Sequence, residues 1–93
     1  MWKEMKQKIE ENNNNGSPTI VEWSSDGEDG RGRLTGMEVS DSHVEFFITD
    51  DRPEIGSFSM RSSRAIIGIS PQEGNDLHIF SHYMGSITLL HDR

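Results

Sequence analysis

Residues 31–48 read Arg-Gly-Arg-Leu-Thr-Gly-Met-Glu-Val-Ser-Asp-Ser-His-Val-Glu-Phe-Phe-Ile, and the alternation of their apolar side chains decides the fold. Val44, Phe46 and Ile48 fall on one parity, with Glu45 and Phe47 on the other, which is the period of a strand with one face buried. Arg33 to Ser40 reads as the strand before it, but its alternation slips. Leu34 lies on one face, while Met37 and Val39 disagree with it by parity. A one-residue bulge or sharp bend at Gly36 repairs the slip, and small barrels turn their corners in this way.

Outward from this stretch every pattern after Thr19 is strand-like. Ile20, Val21 and Trp23 open a first strand. Ser24 to Gly32, rich in Asp, Gly and Ser, reads as the turn that follows it. Downstream, Asp50-Asp51-Arg52-Pro53 is a turn and Ile55 to Met60 a fourth strand. Arg61 to Arg64 is a polar break, Ala65 to Ile69 a fifth strand, and Pro71 to Asp76 a loop. Leu77 to Met84 and Ser86 to Leu90 supply one or two more strands, joined or kinked at Gly85. Before all of this, Trp2, Met5 and Ile9 form one stripe of a 3.6-residue period, which predicts a helix over 2–11. Asn12 to Asn15 and Gly16 end it, leaving a linker over 12–18. The predicted fold class is all-β: a small barrel of five to six strands over 19–91 with an N-terminal α-helix, in one domain spanning 1–93.

Composition bounds what such a domain does. Only 31% of the 93 residues are hydrophobic, below the roughly 45–50% of an average soluble chain even allowing for that figure counting glycine. A core that thin favours a homo-oligomer, and without cysteine no disulfide can reinforce it. The N-terminal residues lack the apolar run of a signal peptide and no segment is apolar enough to span a membrane, so the expected setting is cytoplasmic, with no membrane partner. The formal net charge is −7, and it is localised. Residues 22–54 carry ten acids against Arg31, Arg33 and Arg52, whereas the segments on either side are balanced. Broad attraction to duplex nucleic acid is not expected from that balance, since such binding is driven by clustered Lys and Arg.

The order of a helix followed by strands with a bent, glycine-bearing second strand resembles the Sm-like family of small SH3-like barrels. The segment Arg31-Gly32-Arg33-Leu34-Thr35-Gly36-Met37-Glu38, followed by Val44 to Ile48, resembles the first Sm motif. Met60-Arg61-Ser62-Ser63 followed by Ile66 to Ile69 is similar to the second. The likeness covers about half of the chain, with Ser62 in the place of the family's glycine. Asp41, Ser42 or His43 stands where the family's turn carries a base-stacking asparagine. The resemblance implies a ring-forming barrel whose inner loops bind RNA or nucleotide.

The chemistry-bearing residues fit that expectation in part. Ser57 to Arg64 reads Ser-Phe-Ser-Met-Arg-Ser-Ser-Arg, and hydroxyls with guanidiniums are the groups that satisfy phosphate oxygens. The expected ligand-binding residues are Arg61, Ser62, Ser63 and Arg64, with His43 contributing from the neighbouring loop. The structural alternative pairs Arg61 and Arg64 with acids of the Asp50–Glu54 turn. His78 and His82, four apart on a strand, stand about 13 Å from one another at roughly 3.3 Å per residue, too far to share an ion, so no metal is expected. They read instead as a face with Phe80. No nucleophile elbow, phosphate loop or metalloprotease motif is present, and Asp50-Asp51 reads as a solvated pair in a turn; neither catalysis nor a cofactor is expected. The function read from the sequence is a non-enzymatic oligomeric binding protein holding an RNA end or nucleotide. The competing function is an acidic inhibitor or adaptor of the phage type, docking on a basic protein through Glu28 and Asp29. Phe47 and Phe80, on the less buried faces, are candidates for a subunit or partner interface.

Overall fold

The bulge at the decisive stretch is where the parity slip places it. In the computed structural model, which describes residues 1–90, strand β2 (Glu28–Val39) pairs antiparallel with β3 (His43–Asp50). Leu34 stands opposite Ile48 and Gly36 opposite Phe47, so Thr35 is the extra residue. Its hydroxyl donates to the Phe47 carbonyl at 3.1 Å, which fixes the irregularity. The bulge brings Leu34 and Met37 to the same buried face, where Val44, Phe46 and Ile48 join them without any exposed surface.

The other strands extend this hairpin on both sides. They are β1 (Thr19–Ser25), β4 (Ser57–Ser63), β5 (Gly68–Pro71), β6 (Leu77–Ser81) and β7 (Gly85–Leu90), with a short 3₁₀ turn at Glu73–Asn75. The sheet order is β4-β3-β2-β1-β7-β6-β5, antiparallel at every junction. This single sheet curls into a half-barrel. Seven strands form where five to six were expected: five precede Leu77, and 77–90, read as one strand or two, makes a hairpin of two with its turn at His82–Met84. The barrel expected over 19–91 is described to Leu90; position 91 lies outside the described residues.

Helix α1 (Trp2–Asn14) packs mainly on β2 and more lightly on β1. Trp2 and Ile9 are buried, and the Trp2 ring meets Phe46 edge-on at 6.3 Å between centroids. The helix runs three residues beyond the predicted end at position 11. Asn12 and Asn13, read as helix breakers, have sheet partners instead. The Asn13 amide donates to the carbonyls of Leu34 and Thr35, and the Asn12 amide to the Thr19 hydroxyl. The helix closes with a Schellman pair, in which Gly16 N–H donates to the Asn13 carbonyl and Ser17 N–H to that of Asn12.

Three strand limits differ from the sequence reading, each for a local reason. The turn expected over 24–32 shrinks to Asp26-Gly27, both with positive φ (52° and 79°), the two-residue type I′ hairpin that Asp-Gly favours. Strand β4 begins two residues later than expected, because Ile55 and Gly56 turn back to hydrogen-bond the Arg52 carbonyl. It then continues through Arg61-Ser62-Ser63, where a polar break was expected, with Arg61 outward and Ser62 inward. Ala65 and Ile66 consequently occupy a turn, and β5 starts at Gly68. Of the described residues, no helix is long and apolar enough to cross a membrane.

Candidate functional site

The pairing of β3 with β4 assembles most of the expected cluster at one end of the sheet. His43, the first residue of β3, stands opposite Ser63, the last of β4. Glu45 stands opposite Arg61. Alternation then places His43, Glu45, Arg61 and Ser63 on the outer face and turns Ser62 into the interior. Ser62 is buried, and its hydroxyl donates to the Ser63 carbonyl. It therefore contributes shape rather than a ligand contact.

Arg64 crosses from the end of β4 to the β2–β3 turn. Its backbone N–H donates to the Ser42 carbonyl at 2.9 Å and its guanidinium to the Ser40 carbonyl at 2.8 Å. Ser40 organises the turn itself, its hydroxyl accepting from the backbone N–H of Ser42 and of His43. Ser42 Oγ lies 2.9 Å from His43 Nδ1. The Ser63 hydroxyl accepts from Ala65 N–H. The two loops are thus clamped together by Arg64, whose guanidinium makes one hydrogen bond among the described residues. Arg61 is exposed and forms no ion pair among the described residues.

The pairing of Arg61 and Arg64 with the Asp50–Glu54 turn is not what the structure shows. Asp50, expected to be solvated, is 5% exposed and is held by its own neighbour. Arg52 Nε donates to Asp50 Oδ1 at 2.9 Å and the Arg52 backbone N–H to the same oxygen at 2.8 Å. Trp23 Nε1 donates to Oδ2 at 2.8 Å, and Arg52 Nη2 reaches the Asp29 carbonyl at 2.8 Å. The Arg52 hydrogen bonds, with Trp23 adding to them, hold the Asp50 carboxyl well below the ordinary carboxylate range. Gly30 lies directly beneath: a Cβ there would run into the Arg52 guanidinium, the Asp50 carboxylate and the Trp23 indole nitrogen. This network ties the β1–β2 hairpin to the β3–β4 turn. Sequence reasoning missed it because its members are 27 residues apart.

The expected partner-binding residues lie apart from one another. Glu28 and Asp29 open β2 beside the hairpin tip, both exposed. Phe47 is half-buried on the outer face, in a shallow depression with Gly36, Ser57 and Ser59. Phe80, 43% exposed, lies on β6 across Gly68 of the neighbouring strand and stacks on His78. His82 leaves the His78–Phe80 face, since it falls in the β6–β7 turn and meets Tyr83 edge-on.

A second concavity has no counterpart in the sequence reading. Between α1 and the β1–β7–β6 side of the sheet runs a groove of about 850 Å³. Met5, Ile9, Ile20, Leu77 and Leu89 line it, with Lys8 and Asn12 at its rim. Its signal was the helix stripe itself, which is broader than one sheet contact. Comparison with known proteins finds no matching family model, no matching curated protein and no matching solved structure.

Proposed function

We propose that this chain is a non-enzymatic binding protein that holds a phosphate-bearing ligand, a nucleotide or an RNA end, on the outer face formed by His43, Arg61, Ser63 and Arg64. The observation that carries the reading is the clamp between Arg64 and Ser40, which holds the β2–β3 turn against the end of β4, where the register sets His43 opposite Ser63. Phosphate oxygens are best met by Arg forks with hydroxyl donors, and a preformed arrangement lowers the entropy lost on binding. The Sm-like reading of the half-barrel accords with this: a helix leads into a meander whose second strand is long, bulged and bent. In a homo-oligomer the site repeats once per subunit, so a modest cluster becomes a ring of positive charge.

The test is calorimetric titration with adenosine monophosphate and with a 5′-phosphorylated oligoribonucleotide at several salt concentrations. Arg61→Ala, which removes no side-chain hydrogen bond or ion pair among the described residues, weakens binding about fivefold or more and flattens the log–log salt slope of the oligonucleotide by about 0.7. Unchanged affinity and slope in that variant reject the site.

A second reading is supported by the acids of residues 22–54, of which only Asp50 is buried. In that reading their exposed field docks on a basic protein, beginning at Glu28 and Asp29 beside the hairpin tip. Such a complex weakens steeply with salt and with charge reversal at those two positions.

A further inference from the structure

We infer that the groove between α1 and the β1–β7–β6 side of the sheet is a separate binding site, and that it takes a single-chain alkyl carboxylate. The groove exists because the helix leans to one side. Its polar bonds run to β2, through Asn13 to the bulge carbonyls and through Lys6, 3.9 Å from Glu38, while its tie to β1 is the one bond between Asn12 and Thr19. The side facing β7 and β6 is left open, with a volume of about 850 Å³, within the roughly 300–1,000 Å³ of small-molecule sites.

The lining fixes the ligand class. Met5, Pro18, Ile20 and Leu77 each keep part of their apolar surface accessible along the groove. Below them Ile9 and Leu89 are buried, so the floor offers an aliphatic chain a continuous apolar track. Of the polar residues in the lining, two on the helix are matched. The Asn12 amide is bonded to Thr19, and Glu4 is paired with the Met1 ammonium. Lys8 is exposed at the rim and forms no ion pair among the described residues. One uncompensated ammonium complements one monoanionic head. Among the described residues no guanidinium lines the groove, and a Lys point charge alone lacks the fork that a phosphate dianion rewards. A carboxylate with an alkyl tail meets both halves of the lining.

The experiment is titration of the full chain with dodecanoate, and separately with dodecanol and with phosphatidylcholine vesicles, followed by backbone amide shifts and calorimetry. Saturable one-to-one binding of dodecanoate is expected, with shifts gathered along residues 4–12, 18–20, 77 and 89–90. Lys8→Gln weakens dodecanoate about threefold to fivefold, the size of an exposed ion pair, and leaves dodecanol unchanged. Arg61→Ala leaves dodecanoate binding unchanged, so failure here is distinguishable from failure of the phosphate site. The inference is overturned if dodecanoate does not bind, if its shifts lie elsewhere, if Lys8→Gln weakens dodecanol equally, or if only vesicles bind.

Discussion

Replacing Asn13 by alanine opposes two effects whose sizes the structure allows to be compared. Asn13 sits in the last turn of α1 and donates to two carbonyls at the bulge, Leu34 at 3.3 Å and Thr35 at 3.2 Å. Both bonds are long, so each contributes toward the lower half of the usual range, about 0.7 kcal/mol. Alanine is a better helix former than asparagine by roughly 0.5 kcal/mol, which offsets part of the loss. The net change is a destabilisation of about 1 kcal/mol, or a fall in Tm of roughly 4–8 °C for a domain of this size. Asn14 supplies the control, being one residue further along, exposed, and without a side-chain hydrogen bond among the described residues. Asn14→Ala gains the propensity and loses nothing, so its Tm rises by roughly 2–4 °C. Thermal melts of the two variants followed by circular dichroism read the comparison. If both substitutions shift Tm in the same direction and by the same amount, the helix is not anchored at the bulge and the reasoning fails.

Three further predictions concern the core and the buried network. Gly30→Ala places a methyl group against Trp23, Asp50 and Arg52, and overpacking of this kind costs about 1–3 kcal/mol; a lowered urea midpoint with altered tryptophan fluorescence is expected, and an unchanged emission spectrum counts against the network. Because the Asp50 carboxyl titrates lower in the folded protein than its ordinary value of 3.8, its contribution is fully present above that value and declines as pH falls below it. Urea midpoints measured against pH should therefore drop more steeply in acid for the wild type than for Asp50→Asn; parallel profiles would show that Asp50 is not the group responsible. Phe46→Ala removes a ring with no exposed surface that also meets Trp2, at a cost of about 3–5 kcal/mol, a large share of the roughly 5–15 kcal/mol of a typical domain; a strongly lowered urea midpoint is expected, and an unchanged midpoint counts against this core.

How far the fold was legible depends on the range of the interaction involved. The bulge could be read from residues 34–39 alone, because burial of one face imposes a parity that Leu34 and Met37 cannot both satisfy without an extra residue. The alternation of Val44 to Ile48 was equally local. Asn12 and Asn13 were misread because asparagine side chains that would break an isolated helix find partners in the sheet, the Thr19 hydroxyl for Asn12 and carbonyls more than twenty residues away for Asn13. Arg61 to Ser63 passed for a break because strand alternation was sought in apolar residues, whereas here the outward positions are Arg61 and Ser63 and the inward one is Ser62. Glu28 to Gly32 passed for a turn because its glycines were assigned to turn conformations, when Gly30 is there to make room for a buried carboxylate and its partners. Of the candidate site, His43, Ser63 and Arg64 are brought together by register and by the clamp at Ser40, while Ser62 is turned inward by the same alternation that places its neighbours outward.

Native mass spectrometry of the full chain, purified without denaturation, tests the central claim most directly because it reports subunit number and bound ligand together. The phosphate-site account predicts a homo-oligomer carrying mass that matches nucleotide or short RNA, lost from Arg61→Ala while the subunit number is kept. A ligand-free monomer that stays ligand-free on addition of nucleotide and of 5′-phosphorylated RNA would contradict it.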